Sequence, residues 1–126
     1  MAKRVFVSFA EEDVKLRDYF IDQTRNAKIP YEFYNMSVKE PWDKKWKTNC
    51  RTMMKGCSGM IVIVTSNTTP TNGQIWEVNC AKEERIPRRG IWGSDADRPA
   101  ILPSELGNVR IVNWTIDNIK SFLELL

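Results

Sequence analysis

The stretch "GQIWEVNCAKEE" (residues 73–84) sets one carboxylate, Glu77, between Trp76 and Val78 in the apolar start of a helical pattern. Glu83 and Glu84 already serve the polar end of that helix. A carboxylate in such a place is either a solvated side chain or the lining of a pocket. In a pocket it can take a proton or stabilise positive charge that develops in a reaction. The chain contains no histidine. That excludes Ser-His-Asp and Cys-His triads and any zinc site with histidine ligands. Chemistry here must run on carboxylates, hydroxyls, amides or backbone dipoles. The three cysteines are an odd number with no CxxC spacing, which fits reduced thiols. Cys50 and Cys57 share a helical face and read as buried filler, so no metal site is expected.

A framework of alternating strands and helices must position Glu77. "RVFVSF" (residues 4–9) reads as a strand, and the following segment places Leu16, Tyr19, Phe20 and Ala27 on one helical face. "PYEFYN" suggests a shorter strand, and "MSVKEP" a loop. A second helix runs from Asp43 to about Cys57, with Trp46, Cys50, Met53, Met54 and Cys57 at helical spacing. "GMIVIVTS" is apolar on both faces, as a central parallel strand should be. The Glu77 helix follows, and Thr71 and Gln74 have the spacing of a capping box. "RRGIW" and "VRIVNW" are the fourth and fifth strands, separated by a Pro/Gly/Asp-rich loop. Thr115 caps a last helix with Ile116, Ile119, Phe122, Leu123 and Leu126 on its buried stripe.

Five β/α units predict a parallel sheet with helices on both faces and strand order 2-1-3-4-5. One domain over residues 1–126 is expected from the length. Ligands of such sheets bind beyond the carboxyl ends of the strands, near the switch between the first and third. That rim comprises residues 9–13, 35–42, 66–77 and 93–103.

The composition, 42% apolar and 28% charged, is that of a globular chain. The net charge of +3 and the scattered basic residues do not point to nucleic acid. The longest apolar run, residues 60–64, is far short of a membrane span, and no signal peptide is apparent. A soluble, cytoplasmic protein is expected.

Several uses of this architecture are excluded by the first strand–helix turn. "FAEEDV" has no glycine, so neither a dinucleotide fingerprint nor a Walker loop is present. It is not the Ser/Thr/Gly-rich loop that binds a flavin phosphate. Glu11, Glu12 and Asp13 superficially suit a phosphoacceptor receiver, but Thr65, Ser66 and Asn67 stand where that aspartate is needed.

"VFVSFAEED" resembles the first box of Toll/interleukin-receptor (TIR) domains. "SVKEPWDKKWKTNCRTMMKGCSGMIVIVTSNT" resembles the TIR-like proteins of bacterial Thoeris anti-phage systems. "IWEV" resembles the family's aromatic-Glu-aliphatic motif, and "VNWTIDNI" its closing strand–helix junction. The boxes span nearly the whole chain, and their order and spacing carry the resemblance. "SVKEPW" departs from animal and plant TIR domains in lacking the arginine and glycine of their second box.

The resemblance implies a flavodoxin-like TIR fold and an enzyme that breaks the nicotinamide–ribose bond of NAD, with Glu77 as the catalytic carboxylate. NAD is then the substrate, and no cofactor is implied. Nicotinamide leaves a pyridinium cation as a neutral molecule, so no general acid is required, unlike ordinary glycoside hydrolysis. One preorganised carboxylate facing the anomeric carbon suffices. Phe9 and Ala10 are implied near nicotinamide or ribose. Asn35 and Ser37 would bond ribose or phosphate, or else shape a turn. Trp42 is the better pocket candidate of the pair Trp42 and Trp46, set one turn apart on the second helix. Trp76 serves either core packing or substrate stacking. Asp13 reads as a cap of the first helix. The implied product is a cyclic, acceptor-linked or plain ADP-ribose nucleotide that signals to a separate effector. A phage trigger and a homo-oligomer are implied partners. Two competing readings are a non-catalytic TIR-like interaction module and a sensor that binds nucleotide without turning it over.

Overall fold

The computed structural model describes residues 3–36, 39–70, 73–94 and 96–126. Its frame is a five-stranded, all-parallel sheet in the order β2-β1-β3-β4-β5. The strands are β1 (Arg4–Ser8), β2 (Glu32–Tyr34), β3 (Gly59–Val64), β4 (Arg88–Trp92) and β5 (Arg110–Val112). The helices are α1 (Val14–Asn26), α2 (Lys44–Lys55), α3 (Gly73–Glu83) and α4 (Ile116–Leu123). This flavodoxin-like arrangement is the one the alternating patterns predict.

β3 lies at the centre and every one of its residues is buried. Strand side chains alternate between faces, and the core divides accordingly. Met60, Val62 and Val64 pack with Trp46, Cys50 and Met54 of α2 and Ile75 and Val78 of α3. Ile61 and Ile63 pack on the other face with Phe20 of α1 and Ile119, Phe122 and Leu123 of α4. An apolar strand with no polar face is stable only when helices cover both sides, and here they do. The edge strands β2 and β5 are short and only partly buried.

Local signals decide the helix ends. The Asp43 carboxylate accepts from the backbone N–H groups of Lys45 and Trp46, capping α2. Thr115 does the same for α4 through Asn118. Asp13 occupies the position before α1, but its side chain makes no capping bond. It reaches across to the turn after β3 instead. Thr71 lies outside the described residues, and with it the capping box read from Thr71 and Gln74. The Gln74 side-chain amide is part of the core's polar framework. It donates to the backbone carbonyls of Ser8 (3.2 Å) and Ile63 (2.7 Å), tying α3 to the sheet.

Three further expectations are corrected. Tyr19 is 60% exposed, and α1 buries Phe20 and Thr24. Trp42 precedes α2 rather than lying on it, because the Asp43 cap starts the helix one residue later. Cys57 lies past the end of α2, buried beside it. The loop between β4 and β5 also carries an unpredicted 3-10 turn (Ser104–Leu106) that buries Leu106 in the core. No helix among the described residues is long and apolar enough to cross a membrane.

Candidate functional site

Glu77 lies one turn into α3 and is fully buried. Its two oxygens have separate partners. The Ser8 hydroxyl, at the carboxyl end of β1, donates to Oε1 at 2.8 Å. The Lys39 ammonium donates to Oε2 at 2.9 Å. Lys39 arrives from the connection between β2 and α2 and is itself buried, with its side chain 1% exposed. The carboxylate therefore stands where β1, the β2–α2 connection and α3 meet, at the rim where parallel sheets bind ligands.

Lys39 is fixed at several points. Its backbone N–H donates to the Glu11 carboxylate at 2.5 Å. Its ammonium donates to the Met36 carbonyl at 2.5 Å and stands 4.3 Å from the centroid of the Phe9 ring. That distance is within the range of a cation–π contact. Gly73, the first residue of α3, permits the close approach. A Cβ at that position would stand 2.6 Å from Cβ of Lys39.

The electrostatics of Glu77 are a contest. Loss of water pushes its carboxyl up to about 7, from an ordinary 4.5, and nearby Glu11 pushes the same way. Lys39 and the Ser8 hydroxyl pull it down, but not by enough to cancel the burial. A carboxyl poised near neutrality is the kind found at sites of chemistry.

A second polar cluster ties the neighbouring turns together. Asp13 accepts from the Thr65 hydroxyl at 2.5 Å and from the Asn67 amide at 2.9 Å. The Thr65 backbone N–H donates to the Thr68 hydroxyl at 3.1 Å. This bridge clamps the turn after β1 to the turn after β3.

The predicted site residues are brought together in part. Phe9 and Ala10 are fully buried, and Phe9 contacts the Lys39 ammonium directly. Asn35 accepts from Arg17 at 2.6 Å, and Arg17 also stands 5.4 Å from the Phe9 ring. Ser37 lies outside the described residues. Trp42 is 77% exposed. The Trp76 ring meets Trp46 edge-on at 5.2 Å and lies under the Arg51 guanidinium, so it packs in the seam between α2 and α3.

Ser8 and Lys39 were not singled out by the sequence patterns. Ser8 had a usable signal, being a lone hydroxyl directly after the apolar run Val5, Phe6 and Val7. Lys39 had none, because a single lysine in a polar loop is ordinarily solvated.

A separate cleft of about 550 Å³ opens beyond the ends of β4 and β5. Leu16, Tyr19 and Gln23 of α1 form one wall, and Trp92, Gly93, Ser94, Asn113, Trp114 and Thr115 form the other. None of the predicted site residues among those described lines it.

No family model matches the chain. Among curated proteins the chain is similar to a CTP synthase of Phytoplasma australiense, 24% identical over 94 residues. The match covers 72% of this chain and 17% of that protein, so the chain spans under a fifth of its length.

Proposed function

We propose that the protein is a TIR-like enzyme that cleaves the nicotinamide–ribose bond of NAD, with Glu77 as the catalytic carboxylate. The observation that carries this reading is the Glu77 carboxylate itself, buried at the β1/β3 rim beside Phe9 and held by a hydroxyl and an ammonium. Its place in "IWEV" agrees with the resemblance to the TIR-like proteins of Thoeris systems.

In the proposed reaction the C–N bond breaks with its electron pair going to the ring, and nicotinamide leaves neutral. Positive charge develops at the anomeric carbon, and the ionised Glu77 stabilises it. An acceptor hydroxyl, from water or from the nucleotide, then bonds that carbon and passes its proton to the Glu77 carboxylate or to solvent. Ser8 holds one carboxylate oxygen and so fixes the direction of the other. A site closed to water favours transfer to a nucleotide hydroxyl over hydrolysis. The product, an ADP-ribose-derived nucleotide, would signal to a separate effector in the cytoplasm, after a phage trigger or self-association.

The test is mass spectrometry of products formed from NAD, with Glu77→Gln as the control. Free nicotinamide plus an ADP-ribose derivative, absent from the control, is the expected result. Equal turnover by the control would remove Glu77 from the mechanism.

One observation favours a second reading, a non-catalytic interaction module. Glu77 has no exposed surface, and Lys39 neutralises it. In that reading the pair is structural, and neither NAD cleavage nor NAD binding depends on it.

A further inference from the structure

The surroundings of the Lys39 ammonium are those of a receptor for an organic cation. A carboxylate oxygen lies 2.9 Å away, a carbonyl 2.5 Å away, and an aromatic face 4.3 Å from its centroid. Carboxylate, carbonyl and aromatic face each attract positive charge, and none donates a proton to a guest. In NAD the only positively charged ring is the pyridinium, at the bond whose cleavage is proposed.

We propose that Lys39 is a tethered occupant of this cation cage, so that its ammonium determines whether a cationic ring can reach Glu77. The inference rests on the reading of Glu77 as the catalytic carboxylate, but its physical content, competition between two cations for one cage, can be measured without any reaction. With Lys39 in place the cage is full and Glu77 is sealed. With the ammonium withdrawn, Glu77 and the Phe9 face are free to take a pyridinium of similar charge and larger contact area. Lys39 thereby acts as a specificity-determining residue. A neutral ring gains neither the carboxylate nor the cation–π attraction and competes poorly with the resident ammonium.

Gly73 supplies an independent handle. A methyl group added there meets Cβ of Lys39 at 2.6 Å, close to the backbone, where the lysine cannot yield by rotating its far end. Gly73→Ala therefore displaces Lys39 without removing any charge. Lys39→Ala removes the ammonium outright and admits water to Glu77.

The experiment titrates 1-methylnicotinamide, a permanent pyridinium cation, and neutral nicotinamide into the wild-type, Lys39→Ala and Gly73→Ala proteins by calorimetry. Nicotinamide release from NAD is followed in parallel. Both variants are expected to bind the cation roughly tenfold or more tightly than wild type, with neutral nicotinamide changed by less than about threefold. Adding Glu77→Gln to Lys39→Ala is expected to abolish the gain. Tighter cation binding without nicotinamide release in any protein would uphold the cage and overturn the cleavage reading. Unchanged cation affinity in whichever of the two variants folds would overturn the role of Lys39, whatever happens to NAD. An equal gain for the neutral ring would overturn it too, since the cage would then be a cavity without charge selection.

Discussion

The two ends of the sheet's rim contrast. At the β1/β3 end, Glu77, Lys39 and Ser8 form a buried, charged cluster. At the β4/β5 end, Tyr19, Trp92 and Trp114 line an open cleft of about 550 Å³, with no carboxylate or ammonium among its described lining residues. Size alone would favour the cleft, since ligand sites are commonly concave and partly aromatic. Chemistry favours the closed end, where a carboxyl is held near neutrality by opposed forces. Open space and buried charge are thus separately located on this rim.

The largest expected effect breaks the closed end. Lys39→Met fills the same space but strips Glu77 of its counter-charge without admitting water. It is expected to destabilise the fold by about 3–5 kcal/mol, as breaking one side of a buried pair does. The double variant Lys39→Met/Glu77→Gln should recover part of that loss, because neither charge is then left alone. Urea unfolding of the four proteins measures the coupling directly, and additive losses would show that the pair does not act as a unit.

The open end should behave differently. Trp114 is half-buried, meets the Tyr19 ring edge-on at 5.5 Å and donates to Gln23 at 2.7 Å. Trp114→Ala is expected to cost roughly 2 kcal/mol of stability, less than a fully buried aromatic. Nicotinamide release per folded molecule should stay within about twofold, since no charge in the reaction faces that cleft. A loss of release without a loss of fold would place the chemistry at the wrong end in the present account.

The pH dependence comes next in size. A carboxyl titrating near 7 in the folded state and near 4.5 when unfolded holds an extra proton in the fold between those values. Stability contributed by Glu77 is thus full below about 4.5 and falls as pH rises toward 7. Glu77→Gln should flatten that slope in urea titrations. Release of nicotinamide, which uses the ionised form, should run the opposite way. It is expected to fall about tenfold per unit below pH 7 and to level off above it. The smallest effect lies away from both ends. Thr115→Ala removes the α4 cap at Asn118 and should cost about 1 kcal/mol in urea unfolding, with no change in the pH profile.

Much of the fold was legible because its strongest signals are local. The apolar run of β3, the cap at Thr115 and the alternation of elements need only neighbours in sequence to be read. Where tertiary contacts override local pattern, the sequence misled. Asp13 has the spacing of a cap, yet its carboxylate is taken by Thr65 and Asn67, more than fifty residues away. Nor does local pattern show that the Gln74 amide donates to two strand carbonyls. Glu77 was legible as an anomaly, an acid in an apolar helix face. Its partners were not, because Ser8 and Lys39 reach it across 69 and 38 residues of chain. Periodicity carries no information about such pairings.

The central claim is that Glu77 performs the chemistry. The most direct measurement is nicotinamide release from NAD at pH 8 by the wild-type and Glu77→Gln proteins, each shown to be folded by circular dichroism. Release by the wild type is expected, with a loss of about a hundredfold or more in the variant, the scale on which a preorganised electrostatic partner contributes. Equal release by the two proteins would contradict the claim.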